Sequence, residues 1–123
     1  MTDNAEPQQS AALDPEDTKI ITLARSSRAR NRAPEGAAVR DATGRTYAAV
    51  CVALPSLKLS ALEVAVAMAV SSGAERLEAA AIVSEAADLT DDAVAAALDL
   101  RAGAVFLAAP DGSVVAVARP KPS

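Results

Sequence analysis

The sequence predicts an α/β fold: a three-layer sandwich with a mixed sheet of about five strands and helices on both faces. Cap and turn signals divide the chain in the order α-β-β-α-β-α-β-β, with strands and helices alternating after an initial hairpin. A length of 123 residues suits one domain with one core. The chain holds 32 alanines and only two aromatic residues, Tyr47 and Phe106. The core is therefore expected to be thin and built from Ala, Val, Leu and Ile.

Residues 1–13 are polar, carry few large apolar groups and read as a disordered acidic tail. Asp14-Pro15-Glu16-Asp17 starts a helix. Asp can cap, Pro fits the first helical position, and the acids suit the positive end of the dipole. Ile20, Ile21, Leu23 and Ala24 give an apolar stripe, and Arg25, Arg28 and Arg30 fall near the end, so the helix is placed at 14–30. Residues 31–35 form a loop. Residues 36–41 and 45–52 form a hairpin about Ala42-Thr43-Gly44, where Gly44 supplies a positive φ.

Residues 53–59 contain Pro55 and read as a loop. Residues 60–71 form a helix that is apolar nearly all round, broken by Glu63, and is expected to be buried on most sides until Gly73 ends it. Residues 77–83 read as a buried strand. Thr90-Asp91-Asp92 opens a second Ala-rich helix reaching Leu100. Residues 104–108 and 114–118 form a second hairpin about Pro110-Asp111-Gly112. The domain is placed at 14–119, with 120–123 as a short C-terminal tail.

The residues that are absent exclude several chemistries. Without histidine the chain lacks the commonest general base and metal ligand, and Ser-His-Asp and Cys-His catalysis are ruled out. The single cysteine, Cys51, permits no internal disulfide and no thiolate cluster, and it reads as a small buried apolar residue. No stretch approaches the roughly 18 to 20 apolar residues of a membrane span, and the polar start has no apolar signal segment. A cytoplasmic protein without membrane contact is expected.

The net charge of −4 is unevenly spread: residues 18–45 carry +5. Arg25, Arg28, Arg30 and Arg32 form a candidate anion-binding cluster for a phosphate-bearing partner. The same arginines also suit a solvated face that complements the helix dipole. No aromatic residue lies near them to stack a base, so nucleic acid is not the expected partner.

The element order and its local text resemble the cytidine deaminase family. Arg32-Ala33-Pro34-Glu35-Gly36-Ala37-Ala38-Val39 is similar to the family stretch Phe-Pro-Val-Gly-Ala-Ala. Asp41-Ala42-Thr43-Gly44-Arg45-Thr46-Tyr47 resembles its first hairpin turn and the start of its second strand. Ala65-Val66, Ala69-Val70 and Gly73 resemble its zinc-bearing helix, and Pro110-Asp111-Gly112 its last hairpin turn. The resemblance covers residues 17–118 and implies the family's fold.

It also implies a short inventory of chemical parts. In the family a zinc ion, held by a His or Cys and two further Cys, activates water while a nearby Glu shuttles protons. Here the ungapped register puts Ser60 at the first ligand and Leu62 at the acid. A slip of one residue brings Glu63 to the acid position but puts Ala61 at the ligand. The second helix start holds Asp91 and Asp92 and no cysteine; both read as helix-start acids, and two carboxylates alone suit only a hard cation, weakly. The family's ribose-binding Asn-x-Glu matches Cys51 and Ala53, and its base-pocket Phe matches Ala33.

Ala33, Cys51, Ala53, Ser60, Leu62 and Asp91 are thus read as degenerate former-site positions, with no zinc or other cofactor and no catalytic residue beyond the candidate Glu63. The resemblance implies a pseudoenzyme acting as an oligomeric interaction or binding module, a homodimer or homotetramer with a possible protein partner. Two alternatives stay open: nucleotide or RNA-phosphate binding through the Arg25–Arg32 cluster, and a residual nucleoside deaminase or hydrolase acting through Glu63.

Overall fold

In a computed structural model of the chain, which describes residues 13–121, helix α1 spans Pro15–Asn31. The Asp14 carboxylate accepts the Glu16 amide at 2.8 Å, and Pro15 sits in the first turn. Arg32 closes the helix in the left-handed region at φ 52°. The expected tail at 1–13 lies outside the described residues except for Leu13, which packs on the apolar layer beneath α1. The last two residues of the expected C-terminal tail also lie outside them.

Strands β1 (Gly36–Asp41) and β2 (Thr46–Val50) form the predicted hairpin, with Gly44 at φ 92°. The next segment differs from expectation. β2 ends at Val50, short of residue 52, and a separate two-stranded sheet follows, β3 (Val52–Leu54) with β4 (Leu57–Leu59). Leu54 pairs with Leu57 across Pro55-Ser56. Proline fixes the φ that suits the first central position of a turn, so Pro55 marks a hairpin turn and not a loop.

The remaining elements fall where the sequence places them: α2 (Ala61–Ser71), β5 (Leu77–Val83), α3 (Asp91–Asp99), β6 (Val105–Ala108) and β7 (Val114–Ala118). The main sheet runs β2-β1-β5-β6-β7. Only β5 and β6 are parallel, and α3 is the crossover that a parallel pair requires.

Alternation along the strands separates two apolar layers. Ala38, Ala79, Ala81, Val83 and Phe106 pack with Ile20, Ile21 and Ala24 of α1. Ala37, Val39, Ala80, Ile82, Val105 and Leu107 pack with Ala61, Leu62, Ala65 and Val66 of α2 and Val94 of α3. The result is three layers, with α1 on one face and α2 and α3 on the other. Alanine-rich layers bring backbones close together. A Cβ at Gly36 would lie 2.2 Å from the Ala24 carbonyl oxygen, so glycine is what lets β1 pass under α1.

Helix α2 departs from the expectation of burial on most sides. Ala61, Leu62, Ala65, Val66 and Ala69 form one buried face. Met68 and Val70 on its flanks are 41% and 49% exposed, because the sheet covers only one side. Cys51 is half-buried at the break between β2 and β3, not enclosed in the core.

Candidate functional site

One end of the sheet gathers the positions to which the family resemblance assigns chemistry. Gly36 pairs with both Val50 and Val83, which places the start of β1 beside the ends of β2 and β5. The chain enters α3 from the end of β5. The Glu35 carboxylate, one residue before β1, accepts the Ala61 amide at 2.7 Å and so marks the start of α2 at the same end. Ala33, Cys51, Ala53, Ser60, Leu62 and Asp91 all belong to this end through these strands, helix starts and loops.

The start of α2 is closed by its own residues. Ser60 Oγ accepts the Glu63 amide at 3.0 Å, and Glu63 Oε1 accepts the Ser60 amide at 2.8 Å. This reciprocal pair satisfies amides that a helix start otherwise leaves without partners. Glu35 satisfies a further one, and both carboxylates offset the positive end of the dipole. Leu62, at the family's acid position in the ungapped register, is 1% exposed and lies in the core. Glu63, the candidate acid, is engaged as a cap.

The start of α3 is capped by a single side chain. Thr90 Oγ1 accepts the Ala93 amide at 3.1 Å, while Asp91 and Asp92 stand exposed in the first turn. Ala33 and Cys51 are half-buried, and Ala53 is exposed on β3. The family's zinc would need thiolate or imidazole donors at these two helix starts. The side chains present are Ser60, Thr90, Asp91, Asp92 and the two engaged glutamates, a set that does not fit that ion. Among the described residues no three His, Cys, Asp or Glu side chains group to hold a metal ion.

Glu35 is the residue that sequence reasoning missed. Its partner lies 26 residues along the chain, so no local pattern marks it.

The arginine cluster is divided by the fold. Arg25 Nε donates to the Pro110 carbonyl at 2.9 Å, tying α1 to the β6–β7 turn. Arg28 Nε donates to the Pro34 carbonyl at 3.2 Å, and its Nη2 lies 3.8 Å from Glu85. Arg30 and Arg32 are exposed, and Arg32 forms the cap of α1. At the β6–β7 turn the Ser113 hydroxyl and amide, with the nearby Arg25 charge, hold the Asp111 carboxyl below its ordinary range.

The opposite end of the sheet carries a buried polar group that the sequence did not announce. Arg40 is 8% exposed; its Nε donates to Glu78 at 2.7 Å and its Nη2 to Asp17 at 3.0 Å. Burial pushes the guanidinium pKa down, but the hydrogen bonds and charges of Glu78 and Asp17 outweigh it and leave the pKa raised. Arg40 Nη1 is buried without a partner among the described residues. Next to it, Asp41 accepts from the Thr43 hydroxyl and amide, the Arg45 amide and the Tyr47 hydroxyl. Burial pushes the Asp41 carboxyl up, and these donors outweigh it, so its pKa lies below the ordinary value.

Comparison with known proteins agrees with this architecture. A family model described as cytidine deaminase-like matches residues 13–112. The crystal structure of a cytidine deaminase from Burkholderia pseudomallei aligns with a TM-score of 0.69 at 21% identity, covering 82% of this chain and 90% of that chain. At that identity the likeness is one of fold. No curated protein matches the chain. Among the described residues no helix is long and apolar enough to cross a membrane. The family match extends over most of the sequence, and the chain belongs to the cytidine deaminase-like family.

Proposed function

We propose that the chain is a catalytically inactive member of its family, a pseudoenzyme that works in the cytoplasm as an oligomeric interaction module. The supporting observation is the start of α2. Where the resemblance implies a metal ligand and an acid, Ser60, Glu63 and Glu35 are engaged with backbone amides and Leu62 is core. A group that closes a helix is not poised to move a proton at a substrate. The same contacts weigh against residual catalysis through Glu63. The ties of Arg25 and Arg28 to backbone carbonyls weigh against their use as a phosphate clamp.

An interaction role draws support from exposed apolar side chains on α2 and on the hairpin leading into it. Met68, Val70, Leu54 and Leu57 are each at least 41% exposed. Such side chains suit a homodimer or homotetramer. Two measurements test the reading. Cytidine and deoxycytidine incubated with the untagged protein are expected to remain unchanged by chromatography, with or without added zinc. Light scattering across a dilution series is expected to report two or four subunits. Turnover that is lost in Glu63→Gln would overturn the inactive reading, and a monomer at all concentrations would overturn the oligomeric one.

A further inference from the structure

At the end of the sheet away from the start of α2, an open depression of about 420 Å³ lies between the β1–β2 turn, the α2–β5 connection and the end of α3. One arginine reaches it from each: Arg45, Arg76 and Arg101. All three are exposed, and among the described residues none of their guanidiniums makes a hydrogen bond or an ion pair. Their backbones are fixed. The Arg76 carbonyl accepts the Ala42 amide at 3.0 Å, the Arg45 amide donates to Asp41 at 3.0 Å, and the Arg101 amide donates to the Leu98 carbonyl at 2.9 Å.

Two acids share the rim, Asp41 and Glu75. Asp41 is occupied by the Thr43, Arg45 and Tyr47 donors. Glu75 is exposed and pairs with no cation among the described residues. The local balance is therefore cationic in a chain whose net charge is −4. Complementing a helix end accounts for Arg101, which follows α3, but not for Arg45, which follows a strand turn. Arg101 also holds a left-handed conformation, φ 60°, in which glycine would be unstrained.

We propose that this depression is an anion site that takes the phosphate group of a small phosphorylated ligand. Guanidinium forks match phosphate oxygens in pairs, and the volume falls in the range of small-molecule sites. The site shares no residue with the former catalytic positions or with the Arg25–Arg32 cluster.

Inorganic pyrophosphate is the probe, titrated into the full chain at fixed ionic strength and followed by amide NMR. Saturable shifts are expected at residues 44–46, 73–76 and 101–102. The double variant Arg76→Ala/Arg101→Ala is expected to weaken binding at least tenfold, and Arg30→Ala/Arg32→Ala to leave it unchanged. Arg101→Gly keeps the left-handed turn without strain, so it tests the side chain in a folded protein; a loss of several-fold in affinity is expected. The proposal is overturned if pyrophosphate gives no shifts, if the shifts centre on residues 28–32, if Arg101→Gly binds as well as the parent, or if chloride at matched ionic strength reproduces the same pattern.

Discussion

The two ends of the sheet use charge in opposite ways. Where β5 and β6 finish, carboxylates and hydroxyls meet backbone amides: Glu35, Ser60 and Glu63 close α2, and Thr90 closes α3. At the other end four arginines gather. Arg40 holds two carboxylates yet keeps Nη1 buried and unpartnered among the described residues, and Arg45, Arg76 and Arg101 surround a depression. The end to which the family resemblance assigns chemistry is organised here to build two helices. Among the described residues the buried donor without a partner, Arg40 Nη1, lies at the opposite end.

The contrast breaks most severely at Gly36, which seats α1 on the sheet. Gly36→Ala places a methyl against the Ala24 carbonyl and is expected to cost about 3 kcal/mol or more by urea denaturation. Leu62→Ala sharpens the reading of the first end. A core position is expected to lose about 3 kcal/mol. A loss below about 1 kcal/mol would mean that Leu62 lines an open site instead.

Arg40→Met probes the second end. It leaves Asp17 and Glu78 without their cation, and because Glu78 is partly exposed the expected loss is about 2 kcal/mol. This loss should change little with salt, since the pair with Asp17 is largely buried.

Asp41 gives a pH test of the same end. Its folded pKa is depressed, so its contribution is complete above the unfolded value of about 3.9 and fades as the pH falls through the folded one. Acid titration of the parent should therefore show stability falling below about pH 4, and Asp41→Asn should flatten that part of the profile. The smallest effect is expected at the first end. Glu35→Ala removes one carboxylate from the start of α2 and should cost about 1 kcal/mol, with Glu35→Gln retaining part of it.

Most element boundaries were legible because their causes are local. Asp14, Ser60 and Thr90 each cap a helix that starts at the next residue, and Gly44 takes the positive φ its turn requires. The hairpin at β3–β4 was not legible because Pro55 fits both a loop and a turn, and two three-residue strands leave little periodicity to read. The exposed flank of α2 escaped for a different reason. A helix rich in apolar residues does not say how many neighbours it has, and the sheet supplies only one.

The site was legible only in part. By the family resemblance alone the ligand, acid and ribose positions could be matched to Ser60, Leu62, Cys51 and Ala53, with Glu63 as the acid in a slipped register. What now occupies that end could not, because Glu35 reaches Ala61 across 26 residues. The Arg40 group joins residues 23 and 38 positions away, so no local pattern marks it.

Native mass spectrometry of the untagged protein, purified without chelators, tests the central claim most directly, because one spectrum reports subunit number and bound metal together. The account predicts an oligomer of two or four subunits with the mass of the polypeptide and no zinc. One zinc per subunit would contradict it and would make Glu63, Asp91 and Asp92 the first residues to substitute.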